Sequence, residues 1–447
     1  MRIERLGLDD LARLGGPRGV AAHIRSLIPS GADVERDVRE IVAAVRERGD
    51  RAVHELTERF DGHDTAETGL VVAPQALDEA MAGLAADVYA GLEAAIANVA
   101  QVAAAGAQED VGLRLAQGHR VNVRELPVGS AAVYVPGGRA PYPSTVVMGT
   151  VTARAAGVLD VVICSPPGAG GEVDPAVLAA CRMCGVSRVY RMGGAQAIAA
   201  LAYGTESVEA VDVIVGPGNL YVQEAKRQVS GVVGIDGFAG PSDLLVVLDD
   251  SVDANLAALD MLAQAEHGRG SLIVGVSASS AVLDVLAERL AALSAEYEVT
   301  RDAVCVLAET GDGRQAMALA NALAPEHLEL MGEEVEPLAP LAQSAGCLFV
   351  GTASATAFGD YVAGSNHVLP TAAAARFASG LSTRHFRRSM CEVRIDPESA
   401  VRLAALGAPI ALSEGFPLHA LSMRARAGGE LPVPSGEGGA AGAGREG

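Results

Sequence analysis

The chain has 447 residues, of which half are hydrophobic and only 3% are aromatic, and its formal net charge is −21. A surface this acidic repels phosphate backbones and anionic lipid headgroups, which argues against a nucleic-acid-binding or membrane-docking protein. The length predicts two to four domains. Abundant Ala with Val-rich runs is typical of helices packed against a buried parallel sheet.

No targeting or membrane segment is expected from the sequence. The N-terminus, Met1-Arg2-Ile3-Glu4-Arg5, is charged and lacks the apolar stretch of a secretory signal. We find no run of the roughly 18 uncharged apolar residues that a membrane span needs. The six cysteines are scattered, which favours a reduced, cytoplasmic protein over a disulfide framework. Cys181-x-x-Cys184 lacks the second pair of a zinc ribbon, so we interpret both as small buried hydrophobic residues.

The first part of the chain is predicted to be helical. Hydrophobic residues recur at helical spacing over residues 34–60, in two helices separated at Gly49-Asp50. Asp61-Gly62 is predicted to end the second helix. Residues 74–105 are rich in Ala and follow the same helical pattern.

Strands alternate with helices from residue 129 to residue 229, which predicts a parallel α/β sheet. Three of the strands end in Gly-rich turns, and ligands of such sheets bind at the carboxyl ends of the strands. The segment contains neither GxGxxG nor a P-loop, so any dinucleotide binds without that fingerprint. The predicted strands are 131–135, 158–164, 187–191 and 211–215, and the predicted helices are 144–156, 175–184, 195–203 and 220–229.

A second α/β pattern extends from Leu244 to Val350, and a short C-terminal region follows it. Residues 428–447 contain little that can be buried, so we expect disorder there. The predicted strands are 244–248, 272–276, 303–308, 347–350 and 391–395, and the predicted helices are 253–267, 281–294, 314–323, 398–412 and 417–426.

Four short segments show neither the strand nor the helix period and instead collect polar side chains. Such segments are typical of irregular loops that present polar groups, where functional sites commonly lie. Together they hold four of the nine histidines. The segments are 264–268, 325–329, 359–371 and 414–419, and their histidines are His267, His327, His367 and His419.

Gln264 and His267 are candidate metal ligands. They are three residues apart near the end of a predicted helix, so both side chains lie on one face. Alone, the pair is typical of a solvated helix end. With Asp360 and His419 it gives two nitrogens and two oxygens, a set that suits Zn²⁺ and also Mn²⁺.

Glu326 and His327 are adjacent ionisable residues in an otherwise apolar segment. Burial would bring their pKa values toward neutrality, as acid–base catalysis requires. A surface pair at a helix start after Pro325 explains the same pattern, and spacing alone does not decide between the two.

Lys226 is the only lysine among 34 Lys and Arg residues. Coding bias explains its isolation as well as a role near an anionic ligand does, because an ammonium is a compact charge that Arg does not mimic.

In this order, the segments resemble the histidinol dehydrogenase family, and the resemblance covers roughly residues 30–425. Besides the four polar segments, it is carried by Arg48-Gly49-Asp50, Arg59-Phe60-Asp61-Gly62, Tyr134-Val135-Pro136-Gly137-Gly138, Tyr142-Pro143-Ser144, residues 193–205 and 216–222, Gly234-Ile235-Asp236 and Ala239-Gly240-Pro241-Ser242.

The resemblance implies an enzyme that oxidises L-histidinol to L-histidine in two NAD-dependent steps, the end of histidine biosynthesis. It also implies one Zn²⁺ per subunit and a cytoplasmic homodimer whose sites are shared between subunits. The implied fold has two Rossmann-like parallel-sheet domains with small, intertwined N- and C-terminal helical segments. The implied parts are an N-terminal dimerisation segment (1–24), a catalytic domain (25–128 and 243–380), an NAD-binding domain (129–242), a C-terminal dimerisation segment (381–427) and the tail (428–447).

The resemblance also implies roles for single residues. The zinc ligands would be Gln264, His267, Asp360 and, from the partner subunit, His419. Glu326 and His327 would be the catalytic acid–base pair. The substrate would be held by Ser242, His367 and Glu414 together with His327 and the zinc ligands. The contacts to NAD would be Tyr134, Gln196 and Asn219.

The chain departs from the family pattern at four positions beside these segments. Gly149 stands where Asn is common, Thr152 where Pro is common, Gly237 where Met is common and Asp243 where Glu is usual. None of the four is an implied metal ligand or a member of the catalytic pair.

Three other functions stay open on the sequence alone. One is a Zn- and NAD-dependent dehydrogenase of another polar alcohol, such as a sulfonated diol; Glu414 and His367 favour histidinol over it. The second is a zinc hydrolase with Glu326 as base, which would not need the Gly-rich strand ends. The third is a non-catalytic relative, against which the intact set of metal and base residues argues.

Overall fold

The computed structural model describes residues 1–28, 33–137, 140–168, 170–238, 240–268 and 270–429. Most of the tail predicted to be disordered, from residue 430 to residue 447, lies outside the described residues. The chain forms two compact units. The larger comprises Met1–Ala107 and Pro127–Arg387, and the smaller comprises Gln108–Leu126 with the described residues from Arg388 onward.

In chain order, the strands are β1 Arg2–Leu6, β2 Val111–Arg114, β3 Arg120–Pro127, β4 Ser130–Tyr134, β5 Asp160–Ser165, β6 Val189–Arg191, β7 Val213–Val215, β8 Gly234–Ile235, β9 Asp243–Leu248, β10 Leu272–Ser277, β11 Val304–Glu309, β12 His327–Met331, β13 Cys347–Val350 and β14 Arg387–Arg394.

The α-helices are α1 Leu8–Arg13, α2 Pro17–Ser26, α3 Glu35–Arg48, α4 Asp50–Asp61, α5 Thr65–Thr68, α6 Pro74–Ala82, α7 Ala86–Ala105, α8 Pro143–Ala155, α9 Pro175–Met183, α10 Gly194–Tyr203, α11 Leu220–Val229, α12 Ala254–Ala265, α13 Ser280–Glu296, α14 Gly313–Leu323, α15 Thr356–Tyr361, α16 Pro397–Ser413 and α17 Pro417–Arg426. Short 3₁₀ turns cover Glu298–Thr300, Glu336–Leu341, Ala374–Arg376 and Thr383–Phe386.

The larger unit contains two parallel sheets. Among the described residues, one sheet has the order β6-β5-β4-β7-β8 and the other has the order β1-β11-β10-β9-β12-β13. We call them the five-stranded and the six-stranded sheet. Both are covered by helices on two faces, which buries their strands as parallel sheets require. The predicted class, α/β with two Rossmann-like sheets, is therefore confirmed.

The helical covers come from different parts of the chain. Helices α3, α4, α10 and α11 pack on one face of the five-stranded sheet, and α6 to α9 pack on the other. The six-stranded sheet is covered by α2 and α14 on one face and by α12 and α13 on the other. The cores consist mainly of Ala, Val and Leu, as the composition predicts.

This packing groups the N-terminal residues differently from the expected domains. β1 adds an edge strand to the six-stranded sheet, so residues 1–24 are part of that sheet's layers. Helices within residues 34–105 cover the five-stranded sheet, whereas the expected domains assign residues 25–128 to the catalytic part. A role of residues 1–24 in dimerisation stays a prediction.

By length and composition alone, helix α7 could span a membrane. It carries Asp87 and Glu93, so it is not one of the uncharged apolar runs that the sequence is predicted to lack, and it packs Leu92, Ala95 and Val99 into the core of the five-stranded sheet. One face of α7 therefore belongs to the core of the larger unit.

The smaller unit combines a three-stranded sheet with a helix pair. The sheet has the order β14-β3-β2. Helices α16 and α17 pack together through Ala408, Ala411, Ala420 and Met423. The turn between these helices carries Glu414, and the first turn of α17 carries His419; both side chains are exposed.

Candidate active site

The predicted catalytic pair lies at the amino edge of the six-stranded sheet, where β9 and β12 begin. Glu326 and Asp243 are joined reciprocally across these strands: the Glu326 N–H donates to Asp243 Oδ1 at 2.7 Å, and the Asp243 N–H donates to Glu326 Oε2 at 3.1 Å. Glu326 and His327 are both buried, at 6% and 2% exposed. The interpretation of these residues as a surface pair at a helix start is therefore wrong, because His327 begins a buried central strand.

A chain of hydrogen bonds connects Glu326 to the first predicted metal ligand. The Gln264 amide donates to Ser242 Oγ, and the Ser242 hydroxyl donates to Glu326 Oε2. Gln264 is placed by α12, whose start is capped by the Asp253 side chain. The Ser242 hydroxyl therefore links the Gln264 amide to the Glu326 carboxylate.

Burial raises the pKa of Glu326 to about 7, and the Asp243 charge adds to this effect, while His327 opposes it. Burial disfavours the charged form of His327, but Glu326 and Asp360 more than offset it and raise the pKa of His327 to about 9. The His327 ring lies between two carboxylates: Nδ1 is 3.8 Å from Glu326 Oε2, and Nε2 is 3.7 Å from Asp360 Oδ1. Neighbouring ionisable groups that shift each other's pKa values in this way are typical of acid–base sites.

Asp360 lies at the end of α15 and faces His327. Burial opposes its ionisation, but the hydrogen bond and charge of His327 more than offset that, so the pKa of Asp360 lies below its ordinary value. The Asp360 carbonyl accepts a hydrogen bond from His367 Nδ1 at 2.9 Å, and His367 Nε2 is 3.1 Å from Thr145 Oγ1. Both ring nitrogens of His367 are thus engaged within the protein, and a direct contact of His367 with substrate stays a prediction.

The loop after α15 makes hydrogen bonds to elements of both sheets. Asn366 donates to Met148 O and to Thr152 Oγ1 of α8, both at 3.1 Å. The Gly240 N–H, just before β9, donates to Thr371 Oγ1. Residues 359–371 therefore connect a helix of the five-stranded sheet to the start of the six-stranded sheet.

The predicted zinc ligands are divided between the two units. Gln264, His267 and Asp360 belong to the larger unit, and His419 belongs to the smaller one, as does the predicted substrate contact Glu414. Within the described residues, no group of three or more His, Cys, Asp and Glu side chains is assembled for a metal. The donor types of the predicted set, two imidazoles with one carboxylate and one amide oxygen, nevertheless fit Zn²⁺.

The predicted NAD contacts lie at the carboxyl edge of the five-stranded sheet. Tyr134 ends β4, and its hydroxyl accepts a hydrogen bond from the Gly194 N–H at 3.1 Å. Gln196 is 1% exposed, and neither polar atom of its amide has a hydrogen-bond partner among the described residues. Asn219 caps α11 by accepting from the N–H groups of Tyr221 and Val222. An orphaned buried amide beside Gly-rich turns fits a polar ligand at this edge.

Lys226 is buried beneath one of these turns. Its ammonium donates to Gly216 O at 2.5 Å and to Asp236 Oδ1 at 2.7 Å, and the Gly216 N–H donates to Asp236 Oδ2 at 2.7 Å. Gly216 has φ +114°, and a Cβ there would lie 2.2 Å from Tyr134 O. The lysine and Asp236 therefore hold a turn that only glycine can make.

The four departures from the family pattern have structural settings. A Cβ at Gly149 would lie 2.6 Å from the Val133 side chain, so α8 packs there at close range. The Thr152 hydroxyl oxygen accepts a hydrogen bond from the Asn366 amide, and Gly237 adopts φ +141°. Asp243 pairs with Arg25, with Arg25 Nη1 donating to Asp243 Oδ2 at 2.6 Å.

Sequence reasoning missed Arg25 and Thr145. Arg25 lies 218 positions before its partner Asp243, and Thr145 lies in a helix that shows no polar pattern. Asp243 begins an otherwise apolar, buried strand, and this position of a carboxylate is the signal that could have indicated a cationic partner.

Known proteins match the chain over nearly its whole length. The family model for histidinol dehydrogenase matches residues 29–427. A histidinol dehydrogenase of Parasynechococcus marenigrum is 44% identical over 400 residues, covering 88% of this chain and 91% of its own. One from Caulobacter vibrioides is 42% identical over 416 residues, covering 91% and 94%. The crystal structure of histidinol dehydrogenase from Elizabethkingia anophelis matches with a TM-score of 0.86 at 26% identity, covering 95% of this chain and 98% of that one.

Proposed function

The chain belongs to the histidinol dehydrogenase family, and we propose that it oxidises L-histidinol to L-histidine at the amino edge of the six-stranded sheet, while two NAD⁺ are reduced. The observation that carries the proposal is the connected set Gln264, Ser242 and Glu326, with His327 held between Glu326 and Asp360. Family membership favours this reaction over the sulfonated-diol dehydrogenase and the zinc hydrolase. A role in histidine biosynthesis supports a cytoplasmic enzyme.

Gln264, His267 and Asp360 would hold zinc together with His419 of the partner subunit. Bound zinc would supply a Lewis-acid cation that fixes the substrate next to the nicotinamide. His327 would be the base of the first oxidation: in its neutral form, a ring nitrogen would accept the hydroxyl proton as hydride leaves for NAD⁺.

Glu326 serves the second oxidation. With a pKa of about 7, it exchanges a proton near neutral pH. Its carboxylate takes a proton from the water that adds to the aldehyde, and Ser242 keeps it oriented by donating to Oε2. As water adds, the proton that His327 took in the first step would pass to the aldehyde oxygen, so that neutral His327 can accept the hydroxyl proton of the hydrate as the second hydride leaves for NAD⁺.

Tyr134, Gln196 and Asn219 would contact NAD at the carboxyl edge of the five-stranded sheet. The unpaired Gln196 amide supports a polar contact there, and the turn at Gly216 lets the backbone approach a ligand closely. Residues 359–371 would then keep the cofactor edge and the catalytic edge in a fixed relation, since His367 contacts Thr145 in the first turn of α8 and Thr371 accepts from the Gly240 N–H before β9.

The smaller unit would supply Glu414 and His419 to the other subunit of a homodimer. Its described residues expose a dense set of apolar side chains, which favours burial against a partner. These include Val393, Ile395, Val401, Leu406, Ile410, Leu412, Phe416 and Leu418.

The test is the yield of NADH per molecule of L-histidinol at limiting substrate, with and without chelation of zinc. We expect two NADH per substrate, loss of turnover on chelation and its return when Zn²⁺ is added. Turnover of a sulfonated diol but not of histidinol would contradict the substrate assignment, and a yield of one would contradict the second oxidation.

A further inference from the structure

Arg25 lies at the end of α2 and reaches the base of the catalytic strands. Its guanidinium donates to Asp243 Oδ2 at 2.6 Å, and Nη2 also donates to Leu323 O at 2.9 Å and to Ala324 O at 3.4 Å. The Asp243 side chain is 1% exposed and that of Arg25 is 18% exposed. A carboxylate this deeply buried requires a charged or hydrogen-bonding partner.

Asp243 contacts both members of the catalytic pair. Its Oδ1 accepts from the Glu326 N–H, its own N–H donates to Glu326 Oε2, and its carbonyl lies 3.4 Å from His327 Nδ1. One carboxylate oxygen of Asp243 is thus bound by Arg25 and the other by Glu326. Any movement of the Asp243 side chain is passed directly to Glu326.

Arg25 also stabilises the turn that leads into the catalytic pair. Ala324 has φ +49°, a left-handed conformation that is strained for a residue with a Cβ. Its carbonyl and that of Leu323 are two of the three acceptors of Arg25. The Arg25 guanidinium therefore links this turn to Asp243. Asp243 in turn holds Glu326 in place through its hydrogen bonds to that residue.

We propose that Arg25 is a positioning residue of the active site, which acts through Asp243 and the turn at Ala324 to hold Glu326 and His327 in their reactive geometry. The proposal rests on the proposed function, since it assigns reactivity to that pair. Arg25 makes no contact with Gln264, His267 or Asp360 among its hydrogen bonds to the described residues, so its role is separable from metal binding. The fork geometry is specific to arginine, because a lysine ammonium cannot reach Asp243 and two carbonyls in one plane.

The test compares Arg25→Met and Arg25→Lys with the matched control Arg18→Met, an exposed arginine on the same helix. We expect Arg25→Met to lower kcat by about 30-fold, because small displacements of reacting groups are costly. Arg25→Lys should recover part of the loss. The KM for histidinol and the zinc content should stay within about twofold of wild type, and Arg18→Met should leave all of these values unchanged.

A double-mutant cycle with Asp243→Asn separates positioning from general stability. If Arg25 acts through Asp243, the double variant loses little more kcat than Asp243→Asn alone, because the uncompensated charge is gone. Additive losses, or an unchanged kcat in Arg25→Met, would overturn the proposal. Should Arg25→Met fail to fold, Arg25→Lys gives the same cycle. Absence of histidinol turnover in the wild-type enzyme would instead overturn the proposed function.

Discussion

Glu329 lies on the same face of β12 as His327, two residues further along, and it is fully buried. Neither of its carboxyl oxygens has a partner in hydrogen-bonding geometry among the described residues. Burial raises the pKa of Glu329 well above its ordinary value of 4.5, and the nearby Asp260 adds to the effect. The fold therefore favours the neutral form of Glu329 and shifts its ionisation to higher pH.

This state predicts a pH dependence of stability. Above the ordinary pKa of 4.5, the unfolded chain releases the Glu329 proton while the folded chain keeps it. The free energy of unfolding therefore falls as pH rises, by up to about 1.4 kcal/mol per pH unit. Glu329→Gln should reduce this fall between roughly pH 5 and roughly pH 8, measured by denaturant titration.

The control for Glu329 is Glu333→Gln, at an exposed position, which should keep the wild-type slope. Equal slopes in wild type and Glu329→Gln would mean that Glu329 is ionised in the fold.

At the scale of single elements, the turn after β7 depends on Lys226. Lys226→Ala leaves Asp236 without its cation and Gly216 O without its donor, so we expect the turn to shift and the KM for NAD to rise about tenfold. Zinc content should not change, because the turn lies at the other sheet. Arg227→Ala is the control, since Arg227 is exposed and pairs with Glu224. An unchanged KM for NAD would leave coding bias as the explanation for the presence of a single lysine.

Elements bounded by Gly-rich turns were predictable from the sequence, and β12 was not. Strands such as β4 and β9 are apolar runs, so burial on both faces is visible in their composition. β12 carries His327 and Glu329 on one buried face and Leu328 and Leu330 on the other. The five residues of β12 alternate polar and apolar as a strand does, but segment 325–329 was interpreted as a polar loop because polar residues seldom lie in a core.

The residues of the candidate site were predictable from the sequence, but the position of the site in the fold was not. The polar segments at 264–268, 325–329 and 359–371 do come together in the larger unit. The general rule places ligands at the carboxyl ends of parallel strands, yet Glu326 and His327 stand at the amino end of β12. Partners such as Arg25 and Asp243 are joined only by tertiary packing, which the local pattern of a sequence does not contain.

For the whole molecule, the proposed supply of His419 by the partner subunit predicts shared sites in a symmetric dimer. His419→Asn and His327→Asn should each be inactive alone. Mixed and refolded together, they should regain roughly a quarter of wild-type activity, since half of the dimers are hybrids and each hybrid has one intact site. Refolded single variants are the control. No recovery, with hybrids verified by native mass spectrometry after one variant has been labelled with ¹⁵N, would mean that each subunit supplies its own His419.

The burial of Lys226 also determines how the folded protein responds to amine chemistry. The sequence contains no other lysine, and this one is 1% exposed and paired with Asp236. Acylating labels and amine-directed cross-linkers therefore find no accessible lysine side chain on the native fold. Acylation of Lys226 thus becomes a marker of opening of the five-stranded sheet.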